Sequence, residues 1–271
     1  MDGILSTDVD IKAGIRCKDI KIKKPETSAS ESSSQAVTPI GVQFRLRDIN
    51  KDLVAAWRAE FKDHENVQIS EGDIFKNAPA ADAIVSPANS FGFMDGGIDM
   101  AYSRHFGWQL MNRLQELILT EKSGELLVGD ALIVPTCQTF WGKTERTSWE
   151  GYNQGSPIKY LISAPTMRVP EDVSNTNNAY LAFRAVILAV QKHNSQPGCI
   201  PIRSVLCPGL ATSVGCMPPK KCAKQMKYAY EIYELKIHEE LRVPDSLGIV
   251  WEHHNFMASN QEGKFVPQEF S

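Results

Sequence analysis

Residues 83–99 read AIVSPANSFGFMDGGID, and the order of residue types in this stretch decides the architecture. Ala83, Ile84 and Val85, with Ser86, form a short apolar run of the kind that suits a buried strand. Glycines at 92, 96 and 97 permit positive φ angles and let backbone N–H groups approach an anion with no Cβ in the way. From about Asp99 to Leu119, Tyr102, Phe106, Leu110, Leu114 and Leu117 fall on one helical face. That helix turns its unpaired N–H groups and positive dipole end toward the same space, so strand, loop and helix together predict a diphosphate cradle. Plainer readings stand beside this one. Asp99 is a preferred N-cap, and Asn89 is a turn residue whose amide can tie its own loop.

The alternation continues outward on both sides. Leu53, Val54, Trp57 and Phe61 make a helical stripe, followed by the strand run VQIS at 67–70. Downstream come ALIV at 131–134, YLIS at 160–163, a helix near 178–192, SVLC at 204–207, and a last helix with Cys222, Met226, Tyr230, Tyr233 and Ile237 on one side. Strand and helix in turn predict a three-layer α/β/α sandwich around a mixed, mostly parallel sheet covered on both faces. In such sheets the ligand sits beyond the carboxyl ends of the strands.

Two more loops lie at such ends. Gly72-Asp73-Ile74 follows VQIS; its Asp either caps a turn or accepts a hydrogen bond from an exocyclic amine such as that of adenine. Cys207 to Pro219 follows SVLC. There Ala211, Thr212, Ser213 and Gly215 are small enough to wrap a phosphate, with two hydroxyl donors, or they form a plain turn with Pro219 opening the next helix.

Composition sets the boundaries. The chain has 271 residues, 42% of them hydrophobic, enough for a sizeable core. A net charge of −3 disfavours nucleic acid as a partner, so anion recognition has to be local. The six cysteines show no CxxC spacing, and the six histidines do not cluster with them, which points to a reducing compartment and no metal site. Cys216 and Cys222 lie beside the last loop as reactive thiols or as small packing residues. No apolar run spans a membrane and no signal-peptide pattern opens the chain, so an intracellular protein, cytoplasmic or nuclear, is expected. Residues 1–38, rich in Ser, Lys and Glu, are expected to form a flexible tail. A single folded domain is expected over 39–245, with a C-terminal extension at 246–271 packed on it.

Together the loops resemble the macrodomain family, whose pattern reads GDI, NAAN, a glycine-rich loop ending GGVD, TGDAVI, and a final loop of the PAISTGVYG kind. Here these stand in order as Gly72-Asp73-Ile74, Ser86-Pro87-Ala88-Asn89, Gly96-Gly97-Ile98-Asp99, Val128-Gly129-Asp130-Ala131-Leu132-Ile133, and Pro208 to Gly215. The resemblance covers about residues 66 to 240. It implies a partner, ADP-ribose or an ADP-ribosylated substrate, and no cofactor. On it, Asp73 would bind the adenine amine with the backbone of Ile74 orienting the base. Gly96, Gly97 and Ile98 would line the diphosphate from one side, and Pro208, Gly209, Ala211, Thr212, Ser213, Val214 and Gly215 from the other. Asn89 would hold the distal ribose, and Asp99 would orient or activate the water that releases ADP-ribose.

The chain departs from the pattern at three points. Ser86 replaces the first Asn of NAAN, Met94-Asp95-Gly96-Gly97 thins the glycine run, and Val214 takes the place of an aromatic that leans on the distal ribose. Asp95 adds a carboxylate that must point away from a diphosphate or serve as a second acid/base. The segment Cys137–Pro157 holds Phe140, Trp141, Trp149 and Tyr152 with Lys143 and Arg146, and reads either as a lid supplying the missing ring or as aromatics packing the loop down. Trp251 and Phe256 pack the extension on the domain or lie near the adenine. The resemblance implies release of ADP-ribose from an acceptor, as a mono-ADP-ribosyl protein hydrolase or an O-acetyl-ADP-ribose deacetylase. A non-catalytic ADP-ribose reader and an ADP-ribose 1″-phosphate phosphatase are the alternatives.

Overall fold

Six strands pair in the order β2-β1-β6-β3-β5-β4 in a computed structural model that describes residues 41–136 and 149–266. They are β1 (Gln43–Asp48), β2 (Val67–Glu71), β3 (Ala83–Ser86), β4 (Leu132–Pro135), β5 (Tyr160–Ser163) and β6 (Ser204–Cys207). All neighbours run parallel except β4, which is antiparallel to β5. The helices are α1 (Lys51–Glu60), α2 (Gly97–Phe106), α3 (Gln109–Lys122), α4 (Asn178–Asn194), α5 (Pro219–Ala229), α6 (Glu239–Arg242) and α7 (Leu247–Ala258), with a π turn, Tyr230–Glu234, continuing α5.

Alternation along each strand sorts the layers. Ala83, Val85, Ile162, Val205 and Cys207 face α1, α4 and α5, while Ile84, Leu161 and Leu206 face α2 and α3. Each central strand is therefore apolar on both sides, which is why AIVS shows no polar alternation. Trp57 of α1 is wholly buried, its indole N–H directed at the Met226 sulfur of α5 at 3.4 Å. Full burial of such a ring contributes about 1.5–3 kcal/mol. Asn50 caps α1 by accepting from the N–H groups of Asp52 and Leu53.

Two expectations are corrected. The single helix read from about Asp99 to Leu119 is two, broken at Gly107, whose φ of +99° no helix holds. The apolar spacing stays in phase across the break, from Phe106 to Leu110, which hid it. The last helical stripe also ends early: Ile237 is exposed beyond the π turn. The tail expected at 1–38 lies outside the described residues. The extension's helix α7 packs against α5 and α6, with His253 and Met257 buried.

Candidate functional site: a crevice at the carboxyl ends of β3 and β6

β3 and β6 are adjacent and parallel, yet the chain leaves β3 toward α2 on one face and β6 toward α5 on the other. In an open α/β sheet such a divergence is where a ligand crevice is expected, beyond the carboxyl ends of the strands. The glycine loop borders it on one side and the Pro208–Gly215 loop on the other. Two strand spacings beyond β6 lies the end of β2, with Asp73. Three steps of about 4.8 Å separate β3 from β2, so roughly 14 Å lies between their loops.

The glycine loop is held from within. Asn89 Oδ1 accepts from the N–H groups of Phe91 (3.1 Å) and Phe93 (3.3 Å), and its Nδ2 donates to the Phe93 carbonyl at 3.0 Å. The amide thus closes the turn 89–93, as the plainer reading had it, with one N–H to spare. Phe93 itself is exposed. Gly97 has a φ of +53°, and a Cβ at Gly96 or Gly97 would meet nothing within 4 Å. Backbone conformation, rather than crowding, therefore calls for glycine at 97, and the space above both residues is open.

The first bond along α2 runs from the Met100 N–H to the Gly96 carbonyl at 3.1 Å. The N–H groups of Gly97, Ile98 and Asp99 have no helical acceptor and remain for a ligand. Asp99 is therefore the third residue of α2, not its N-cap; Gly96 holds that place with no side-chain cap. Asp99 is buried beside the end of β3, where the Ser86 hydroxyl donates to its Oδ1 at 2.5 Å. Burial pushes this carboxyl up to about 7, with the Ser86 hydrogen bond pulling the other way. The dipole of α2 also favours the charged form there, but desolvation is the larger effect. Oδ2 accepts no hydrogen bond from the described residues.

The opposite loop is pinned by the backbone. The Gly209 N–H donates to Asp48 Oδ2 at 3.0 Å, and the Met217 N–H to the Ala211 carbonyl at 2.9 Å. Ala211 sits at φ +62°, and a Cβ on Gly215 would come within 2.6 Å of the Ala211 carbonyl oxygen. Pro208 and Gly215 are buried, Thr212 half-buried, and Ser213 and Val214 exposed at the rim.

Asp73 is exposed at the far end. Its Oδ1 accepts from the N–H groups of Phe75 and Lys76, both at 2.9 Å, and these bonds hold the carboxyl below its usual range. Its Oδ2 takes no bond from the described residues. Capping a turn and offering an acceptor are thus both open to one carboxylate. The side chain of Ile74 is buried in the core under α2 and α3.

Two residues not singled out in the sequence organise this end. Arg47 of β1 is buried and donates to the Asp73 carbonyl (2.7 Å), the Ser70 hydroxyl (2.9 Å) and the Lys76 carbonyl (3.0 Å). A Cβ on Gly72 would lie 2.4 Å from its Nη2, which explains the Gly of GDI. Asp48 joins β1 to the last loop through Gly209 and also accepts from the Asn50 N–H. The one signal for either was a strand, QFRLRD, that ends in charge.

The aromatic segment resolves in part. Trp149 and Tyr152 pack against His105, with ring centroids 5.5 and 5.0 Å away, on the body of the domain. Phe140, Trp141, Lys143 and Arg146 lie outside the described residues. Trp251 is exposed, and Phe256 stacks on Tyr228 and Phe265 over α5. Cys222 is buried, its thiol pushed up to about 12 by desolvation, so it packs rather than reacts. Cys216 is exposed. A cleft of about 420 Å³ lies at the amino edge of the sheet, away from these loops, between the end of α1 and the π turn. There Glu231 bridges His64 and His238. Among the described residues no group of His, Cys, Asp and Glu could hold a metal, and no helix is long and apolar enough to cross a membrane.

The family model of the Macro-like domain matches residues 49–251. The chain belongs to this family. A protein of Aquifex aeolicus (strain VF5), described as uncharacterized, is 29% identical over 165 residues, covering 61% of this chain and 82% of the relative. Among solved structures, the macrodomain of Mycobacterium tuberculosis DarG matches with a TM-score of 0.45 at 20% identity, over 61% of this chain and 90% of that one. The Oceanobacillus iheyensis macrodomain with ADP matches with a TM-score of 0.40 at 19% identity, over 63% of this chain and 89% of that one.

Proposed function

We propose that this macro-like domain binds ADP-ribose in the β3–β6 crevice and releases it from an acceptor, as a mono-ADP-ribosyl protein hydrolase or an O-acetyl-ADP-ribose deacetylase. One observation carries the catalytic half: a buried carboxyl, Asp99, lies in the first turn of α2 beside the end of β3, pushed up to about 7 by burial, with Oδ2 unengaged by the described residues. A general base works best when its pKa lies near the working pH, and such help is typically worth roughly 10²–10⁴-fold.

The remaining residues divide by position. The free N–H groups of α2 and the Thr212–Gly215 turn face one diphosphate from two sides. Asp73, roughly 14 Å away across the sheet edge, reaches the exocyclic amine of an adenine at the far end of an elongated nucleotide. At the near end, Asp99 Oδ2 accepts a proton from water as the water oxygen bonds to the electrophilic carbon. At an anomeric carbon the bond to the acceptor oxygen breaks as the water oxygen bonds, whereas at an acetyl carbonyl it breaks from the tetrahedral adduct; in both cases the proton passes on to the departing oxygen. The open space over Gly96 and Gly97 leaves room for the ligand at this point.

Binding without chemistry is the second reading, and the engagement of the Asn89 amide in its own turn favours it. Calorimetry with ADP-ribose on the wild type and Asp73→Ala tests the ligand. Incubation with mono-ADP-ribosylated protein and with O-acetyl-ADP-ribose tests the reaction. Release that Asp99→Ala abolishes while ADP-ribose still binds is the expected result; tight binding with no release makes the protein a reader. No calorimetric binding of ADP-ribose removes the proposal.

A further inference from the structure

We propose that Ser86 is the positioning residue for Asp99: its hydroxyl fixes one carboxyl oxygen and leaves the other alone to act on water. The proposal rests on the reading of Asp99 as the group that activates water. Ser86 ends β3, is fully buried, and lies 2.5 Å from Asp99 Oδ1. The bond spans thirteen residues and ties the sheet to the first turn of α2.

A neighbouring serine shows that the pairing is specific. Ser163 lies beside Ser86 in the β3–β5 register, on the same sheet face and equally buried, yet its hydroxyl has no hydrogen-bond partner. A buried serine at this sheet edge therefore does not reach Asp99 by default. Carboxyl groups rotate broadly about their last torsion, and one directional donor removes that freedom. A hydroxyl is also suited to a group that gains and loses a proton. It donates to the carboxylate and can accept from the neutral acid without leaving its place. Asp99, which burial raises to about 7, passes between those two states near neutrality.

The test uses the full chain. The Asp99 carboxyl is followed by ¹³C NMR titration without substrate, alongside ADP-ribose affinity and the pH profile of release, in wild type, Ser86→Ala, Ser86→Thr and Ser163→Ala. Loss of the donor leaves desolvation opposed only by the α2 dipole, so Ser86→Ala should titrate about one pH unit higher. Release at pH 7 then falls about five-fold, the acid limb moves up to match, and ADP-ribose affinity holds. Ser86→Thr restores the wild-type midpoint, and Ser163→Ala leaves it in place. Ser86→Cys, with a weak donor of similar size, is expected to shift the midpoint the same way if the alanine variant does not fold. An unchanged midpoint in the alanine or cysteine variant overturns the proposal, as does an equal shift in Ser163→Ala. A wild type that binds ADP-ribose but releases none overturns the catalytic reading instead, and the titration still judges the contact by itself.

Discussion

Replacing Asp99 by Asn should flatten a pH dependence of stability that the wild type carries. The carboxyl titrates at about 7 when folded and near its ordinary 3.8 when unfolded. Because the folded value is raised, the neutral acid is what the fold tolerates. Its contribution is complete below about pH 4 and is lost as pH climbs through 7. Each unit of difference is worth about 1.4 kcal/mol, so the ceiling is about 4 kcal/mol by pH 9, of which about 3 kcal/mol falls between pH 5 and pH 9. The carboxamide keeps the shape and still accepts from Ser86, but it does not ionise. Urea unfolding of both proteins at pH 5, 6, 7, 8 and 9 isolates the effect, since other titrating groups cancel in the difference. Asp99→Asn should gain on the wild type by about 3 kcal/mol across the series, or about 6–12 °C in melting temperature for a domain of this size. Parallel stability curves would refute the assignment, for they would mean that Asp99 is solvated in the folded protein and is no tuned base.

Four more outcomes follow from the geometry. Arg47→Met removes donors from Ser70, Asp73 and Lys76; it should cost roughly 3 kcal/mol in chemical denaturation and weaken ADP-ribose binding in calorimetry as the Asp73 turn loosens. Gly215→Ala, whose Cβ meets the Ala211 carbonyl oxygen at 2.6 Å, should lower stability by about 1–3 kcal/mol and distort the turn at 211–217. Gly97→Ala, with only its φ of +53° against it, should cost about 1–2 kcal/mol; the two melting temperatures separate crowding from backbone strain. Lys224→Met deletes the ammonium that three carbonyls accept from, those of Phe256, Ser259 and Gln261. Hydrogen exchange should then rise over 247–258 and stay unchanged in β3 and β6.

The strands were legible because burial on both faces leaves an uninterrupted apolar run, and AIVS, YLIS and SVLC are such runs. The three loops were legible because glycine and small residues mark turns whatever follows them. Helix ends were not. In GGID the first helical residue depends on the φ of Gly97, which no neighbouring side chain announces, so an Asp that looks like an N-cap lies two residues inside the N-terminal turn. The break at Gly107 escaped for a related reason, since apolar residues on either side keep helical spacing. β1 was hidden by its composition: QFRLRD alternates charge with apolar residues as a surface strand would. Here the polar side holds a buried guanidinium that carries the Asp73 turn, and the final Asp staples the last loop.

Spacing and contact make different statements about Asn89 and Ser86. The family resemblance pairs Asn89 with Asp99, and nothing in the linear pattern favours Ser86, which looks like the loss of an Asn. Folded, the Asn89 amide is spent largely on Phe91 and Phe93, while Ser86 is the side chain that touches Asp99. A carboxyl this deeply buried is tolerated only if it is neutral or given a donor, and the donor must come from a rigid element if the second oxygen is to keep one direction. The last residue of a central strand satisfies that demand better than a glycine-rich loop does. On the proposed reading, a serine at the end of β3 stands in chemically for the departure from NAAN, and the ionisation of Asp99 should follow the substitution at 86 more closely than any change within the loop at 90–96.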